Sequence, residues 1–445
     1  MKNYFLLLLF LLNLQKSYCQ EAYETYYDSG IKKIDHKDYN GAVEDFTKVI
    51  GLVPDYTSAY YNRGFSLYNL GSYQKAILDF DKTIELKPTH MHAHYKRGMS
   101  KLMLNDNKGS IEDFNKAIEL KADNPEAYYN RGLAKGNLND YKGAIEDFND
   151  AIDYRSDYTA AFYNRGKRRG NLGDLKGAIE DFSNVIELEP EYSSSIAYYN
   201  RGVARVLVGD FKLAVEDLDD YIEAKPREPE AYYYRGVAKG ELSDNQGAIL
   251  DFNKALLLKP DYTEALYNRG NRKRMVGLFK EAIQDFNKAI TIDPELALAY
   301  SYRGVAKESF GDPKGALLDL NKAVELNPKE AIAYYNRAGV YSHSKETLIH
   351  RKALNDYDKA VELNPEYINA YYNRGVIKSD AGDHGGAVAD FDQVIKIKPT
   401  HAKAFFARGT AKKDLGDTAG ACKDWKKAKE LGYDVHIDFI NSNCQ

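Results

Sequence analysis

Apolar positions along this chain follow a helical period in short blocks, each ended by a polar reversal. The stretch from Glu126 to Asp153, EAYYNRGLAKGNLNDYKGAIEDFNDAID, shows the pattern in full. Ala127, Tyr128, Gly132 and Lys135 fall at helical spacing in its first half, and Ala144, Phe148, Ala151 and Ile152 in its second. Asn139-Asp140 marks the reversal, and the small residues Gly132 and Ala144 sit where two helices must approach closely. The spacing predicts a hairpin of two amphipathic helices. One such hairpin has too little apolar surface to fold alone, so it must stack on copies of itself.

The copies are present. An Arg-Gly pair recurs from Arg63-Gly64 to Arg408-Gly409, with Arg337-Ala338 as a variant and Ser29-Gly30 opening the series. The steps are 34 residues, except 36 into Arg201 and 37 into Arg374. With Arg131 taken as repeat position 7, Tyr128 falls at position 4, Gly132 at 8, Ala144 at 20, Phe148 at 24 and Ala151 at 27. Pro88, Pro190 and Pro260 fall at position 32. On these landmarks the sequence resembles the tetratricopeptide repeat (TPR) family. The resemblance implies an all-α fold, a right-handed superhelical solenoid of about twelve helix-turn-helix repeats over residues 20–433. The tail, 434–445, is expected to add a capping helix from Asp434 to Ile440 over the last apolar edge. The extra residues around Glu191-Tyr192-Ser193-Ser194-Ser195 fall between hairpins, and those at His343-Ser344-Lys345-Glu346-Thr347 lengthen a turn within one. Loops of a solenoid tolerate both.

Residues 1–19 read differently. Met1-Lys2-Asn3 supplies charge, Tyr4 to Leu12 an apolar core too short to span a bilayer, and Ser17-Tyr18-Cys19 a small-x-small-like site before Gln20. This is the pattern of a cleaved secretory signal. Lipid attachment at Cys19 is the alternative, against which stand Lys16 and Tyr18, where bacterial lipoproteins carry Leu and a small residue. The expected location is therefore exported: periplasmic, outer-envelope-associated or secreted if bacterial, with no transmembrane segment after cleavage. Cys422 and Cys444 then remain, and two readings stay open: a bridge pinning the tail to the last hairpin, or one buried and one free thiol.

Charge narrows the partners. The full chain has a net charge of −4, and losing Lys2 and Lys16 makes it −6, with the signs interspersed. That argues against nucleic acid or an anionic membrane. No glycine-rich phosphate loop, nucleophile elbow or clustered catalytic set occurs, so neither an enzyme nor a cofactor is expected. His90, His92 and His94 alternate at one helix start, where only His90 and His94 share a helical face, so no metal site is expected. Lys167-Arg168-Arg169 and Arg272-Lys273-Arg274 read as solvated basic faces.

Stacking converts each repeat position into a column. Position 23 is Asp in every repeat, from Asp45 to Asp424, and position 7 is Arg in all but the first. Level with each other across a hairpin, these columns predict a partly buried ion-pair ladder that sets register, flanked by Lys or Arg at position 11. Ser29 replaces Arg while Asp45 is kept, which points to pairing between Asp of one repeat and Arg of the next.

Position 5 is the candidate binding column. It carries Tyr129, Tyr163, Tyr199, Tyr233 and Tyr267 in an unbroken run, beside Asn130, Asn164, Asn200 and Asn268 at position 6. By resemblance, positions 2, 5, 9, 12 and 13 of helix A line the concave groove. Gly136, Gly170 and Gly240 at position 12 are expected to leave open floor beside three of the rings. The alternative is that the rings pack between neighbouring helices. Family members that grip a C-terminal carboxylate use Lys at position 5, which is absent here. The expected function is a non-enzymatic scaffold holding a protein or extended peptide in the groove. Glycan or cell-wall-polymer binding through the Tyr stripe and a regulatory role in an envelope enzyme complex are the alternatives.

Overall fold

The computed structural model describes residues 20–189, 194–343, 347–434 and 442–444. The expected signal segment at 1–19, the extra residues at 190–193 and 344–346, and most of the expected capping helix lie outside them. The described chain is helices joined by turns, in two compact units, Met1–Pro226 and Arg227–Gln445.

The fourth hairpin shows why the sequence folds as it does. Helix A runs Pro125–Asn137 and helix B Tyr141–Tyr154. Pro125 starts helix A, and the Asn124 side chain accepts from the Ala127 N–H. The reversal needs Asn139 at φ 62°, a left-handed conformation that Asn tolerates. Asp140 then caps helix B by accepting from the Gly143 N–H at 3.0 Å. A Cβ on Gly143 would lie 2.3 Å from Asp140 Oδ2, so cap and glycine come as a pair. The same Asp-x-x-Gly pair starts helix B at Asp106, Asp174, Asp244, Asp312, Asp383 and Asp417.

Between the helices, Phe148 is fully buried, and a Cβ on Gly132 would sit 2.8 Å from its ring. Ala127, Ala144 and Ala151 are also fully buried and close the remaining gap. Leu218 and Leu320 fill the ring's slot opposite Gly202 and Gly304, and Trp425 fills it opposite Gly409. Each hairpin thus repeats one packing solution with small changes of volume.

Both insertions are absorbed without loss of register. Asn200 still donates to the Tyr163 hydroxyl at 3.3 Å across 37 residues, where the usual separation is 35. Arg337 still pairs with Asp356 at 2.7 Å across 19 residues, where the usual separation is 16. Cys422 and Cys444 are bridged, with their Cα atoms 5.6 Å apart. The bridge ties residues 442–444 to helix B of the last hairpin, Thr418–Glu430, beside the buried Trp425.

Candidate functional site

The ion-pair ladder exists, but its connectivity is the reverse of the expected one. Arg131 grips Asp147 of its own hairpin through Nε and Nη2, the latter at 2.6 Å. Arg97 with Asp113, Arg165 with Asp181 and Arg201 with Asp217 repeat this within the first unit. Arg235, Arg269, Arg303, Arg374 and Arg408 repeat it in the second. The position-11 cation closes on the other carboxylate oxygen, as Lys135 does on Asp147 at 2.9 Å. Asp45 is not orphaned by Ser29: the Ser29 hydroxyl donates to it at 2.6 Å and Lys33 at 2.7 Å. A hydroxyl and an ammonium together replace the missing guanidinium there. Contact between hairpins comes from the third arginine nitrogen, which reaches two residues beyond the preceding hairpin's Asp. Arg131 Nη1 donates to Asn115 at 2.7 Å, and Arg165 Nη1 to Asn149 at 2.6 Å. The aspartates are 0–7% exposed, which makes this ladder a scaffold element.

The position-5 tyrosines are half-buried, and their rings are engaged. Tyr129 packs at a tilt against Phe148, ring centres 5.8 Å apart, and against Tyr158 at 5.0 Å. Tyr163 meets Phe182 at 5.9 Å, and Tyr199 meets Tyr221 at 5.0 Å. In the second unit, Tyr233 lies between Phe252 and Tyr262, and Tyr267 against Tyr302. The asparagines are placed by the same stacking. Asn164 donates to the Tyr129 hydroxyl at 3.1 Å and to the Ala160 carbonyl at 2.9 Å. Asn130 does so toward Tyr95 and Glu126, and Asn268 toward Tyr233 and Glu264. Each such asparagine has spent both amide hydrogens, leaving its Oδ1 as acceptor. Each such tyrosine accepts one hydrogen bond, leaving its own O–H to donate. Burial pushes the Tyr129 and Tyr163 hydroxyls up and that of Tyr233 up to about 12, so they remain protonated donors at neutral pH.

The open floor expected at position 12 is only partly there. A Cβ at Gly170 would meet nothing within 4 Å. At Gly136 it would meet Arg168 Nε at 2.7 Å, and at Gly240 Arg272 Nε at 2.5 Å. In both cases the arginine comes from position 10 of the following hairpin and fills the space the glycine leaves. Arg272 is 8% exposed, donating to the Gly240 carbonyl at 2.9 Å and to Glu241 at 2.5 Å. The basic clusters are therefore not the solvated faces expected, because only Lys167 stands exposed. Arg169 and Lys273 belong to the aspartate ladder. Of the three histidines, His90 caps its helix, His92 is exposed, and buried His94 reaches the Pro88 carbonyl at 3.0 Å.

No helix among the described residues is long and apolar enough to cross a membrane. Tetratricopeptide repeat models match residues 57–90, 125–158, 163–229, 263–296 and 368–401, and a TPR repeat model matches 102–139 and 350–380. Together they cover more than half of the chain. Among solved structures, yeast Tom70 is similar at 17% identity and a TM-score of 0.48, over 95% of this chain and 96% of that one. The APC/C hetero-tetramer Cut9-Hcn1 is similar at 13% identity and a TM-score of 0.48, over 94% and 95%. A tetratricopeptide repeat protein from Parabacteroides merdae is similar at 18% identity and a TM-score of 0.42, over 56% and 98%. Comparison with curated protein sequences finds no match. Repeats of this kind build protein-interaction scaffolds. The chain belongs to the tetratricopeptide repeat family.

Proposed function

We propose that the helix-A face of each unit binds an extended peptide segment of a protein partner through its tyrosine–asparagine pairs. One observation carries this reading: a hydroxyl donor and an amide acceptor stand together at successive hairpins, at Tyr129 with Asn164 and at Tyr163 with Asn200. A peptide group needs one acceptor and one donor. The ring packing favours a peptide over a glycan, because rings held against Phe148 and Tyr158 have less free face on which a sugar can stack.

The test is a hydroxyl deletion that keeps the rings. Partners are captured on the chain from Gln20 onward and identified by mass spectrometry, and their affinities are then measured. The Tyr129→Phe/Tyr163→Phe pair is expected to lose about 1–3 kcal/mol of binding, from about 0.5–1.5 kcal/mol per hydrogen bond, with little change in melting. Undiminished affinity would show that the partner docks elsewhere.

We propose further that the scaffold works in an exported, oxidising compartment. The apolar leader at Tyr4 to Leu12 and the Cys422–Cys444 bridge support this. Intact mass of the protein from its native source is expected to begin at Gln20 with two cysteines unavailable to alkylation under denaturing, non-reducing conditions. A retained leader or two labelled thiols would refute it.

A further inference from the structure

In the second unit, helix A of three consecutive hairpins, Ala297–Phe310, Ala331–Ser342 and Ile368–Asp380, lines most of a cavity of about 420 Å³ that opens to the surface. Its origin is a missing side chain. At position 9 the flanking hairpins carry Val305 and Val376, while the middle one carries Gly339, where a Cβ would meet nothing within 4 Å. No neighbouring arginine closes over this glycine, unlike Gly136 and Gly240. Val305 and Val376 form apolar walls, and Tyr357, 1% exposed, lies among the deeper lining residues.

The inner polar groups are already satisfied by one another. Tyr335 accepts from Asn373 at 3.2 Å, Asn336 donates to Ser301 at 2.9 Å, and Ser342 donates to the Gly339 carbonyl at 2.7 Å. The charge is not balanced in this way. Glu308 and Asp380 line the cavity from two different helices, and among the described residues no Lys or Arg lines it. Among the described lining residues, the one basic group is exposed His343, whose Nδ1 lies 2.6 Å from Glu308 Oε1. An apolar-walled hole with two carboxylates suits an aliphatic stem that ends in a cation.

We infer that this cavity is an anchor pocket for one lysine or arginine side chain of the bound peptide. The inference rests on the peptide-binding reading above and adds the residue class that the second unit selects. The stem lies between Val305 and Val376 over Gly339, and the charged head sits between Glu308 and Asp380. Binding of the base displaces His343 from Glu308, since both would occupy the same carboxylate.

The test uses a phage-displayed random peptide library panned on the chain from Gln20 onward. Selected peptides are expected to include a class with a basic residue at one fixed place. In that class, replacing the base with norleucine is expected to weaken binding about two- to fivefold, the size of a partly exposed charge pair. Glu308→Gln/Asp380→Asn is expected to weaken the basic peptide equally and to leave the norleucine peptide unaffected. Gly339→Val fills the hole without touching the charges and is expected to weaken both. If peptides are selected but none responds to either variant, the anchor pocket is wrong and peptide binding stands. If the library yields no peptide at all, the peptide-binding reading fails and the anchor pocket with it.

Discussion

Replacing Asp147 with alanine is expected to cost about 3–5 kcal/mol, read as a fall in the urea midpoint and as faster amide exchange in its hairpin. Asp147 is 1% exposed and neutralises two cations at once, Arg131 at 2.6 Å and Lys135 at 2.9 Å. Its removal strands both beside an apolar core. The pairing within the hairpin makes a sharper prediction. In double-mutant cycles, Asp147 is expected to couple strongly to Arg131 and hardly at all to Arg165, which reaches Asn149 instead. Equal or larger coupling to Arg165 would contradict the ladder described above. Because solenoid hairpins unfold partly on their own, hydrogen exchange resolved by hairpin is the more telling of the two measurements.

Phe148→Ala is expected to cost a similar amount, about 3–5 kcal/mol, through lost burial and the cavity left behind. The ring is fully buried and lies where a Cβ on Gly132 would be 2.8 Å away, so the two backbones cannot collapse far enough to fill the hole. It also packs against the Tyr129 ring at 5.8 Å, so binding through that tyrosine is expected to weaken alongside stability. Phe148→Leu is expected to cost much less, since Leu218 and Leu320 occupy the same slot opposite their own glycines. Thermal melts of the two variants check this, and equal losses would mean that the slot's volume does not govern its stability.

The sequence by itself determined the hairpin and its repetition. Helical spacing, the reversal at Asn139-Asp140 and the Arg-Gly landmark act within a few turns of chain, where local geometry dictates the outcome. It also showed which residue types form columns, so the aspartate ladder and the tyrosine–asparagine stripe were both visible. The partners of those columns were not. A column of arginines beside a column of aspartates has the same sequence whether each pair closes within a hairpin or between two. The absence of arginine at Ser29 pointed the wrong way because a serine hydroxyl and Lys33 do the same work at Asp45. Tertiary structure also decided which glycines leave open space. Gly136 and Gly170 share position 12, yet Arg168, 32 residues further on, fills the space beside the first, and nothing lies within 4 Å of a Cβ on the second. Cys422 and Cys444 were legible as candidates, and only the return of the tail to the last hairpin brings them within bonding reach. In each case the deciding contact joins residues from different turns of the stack, and its distance depends on how neighbouring helices are rotated about their axes. A single sequence records the period of that stack but not this rotation.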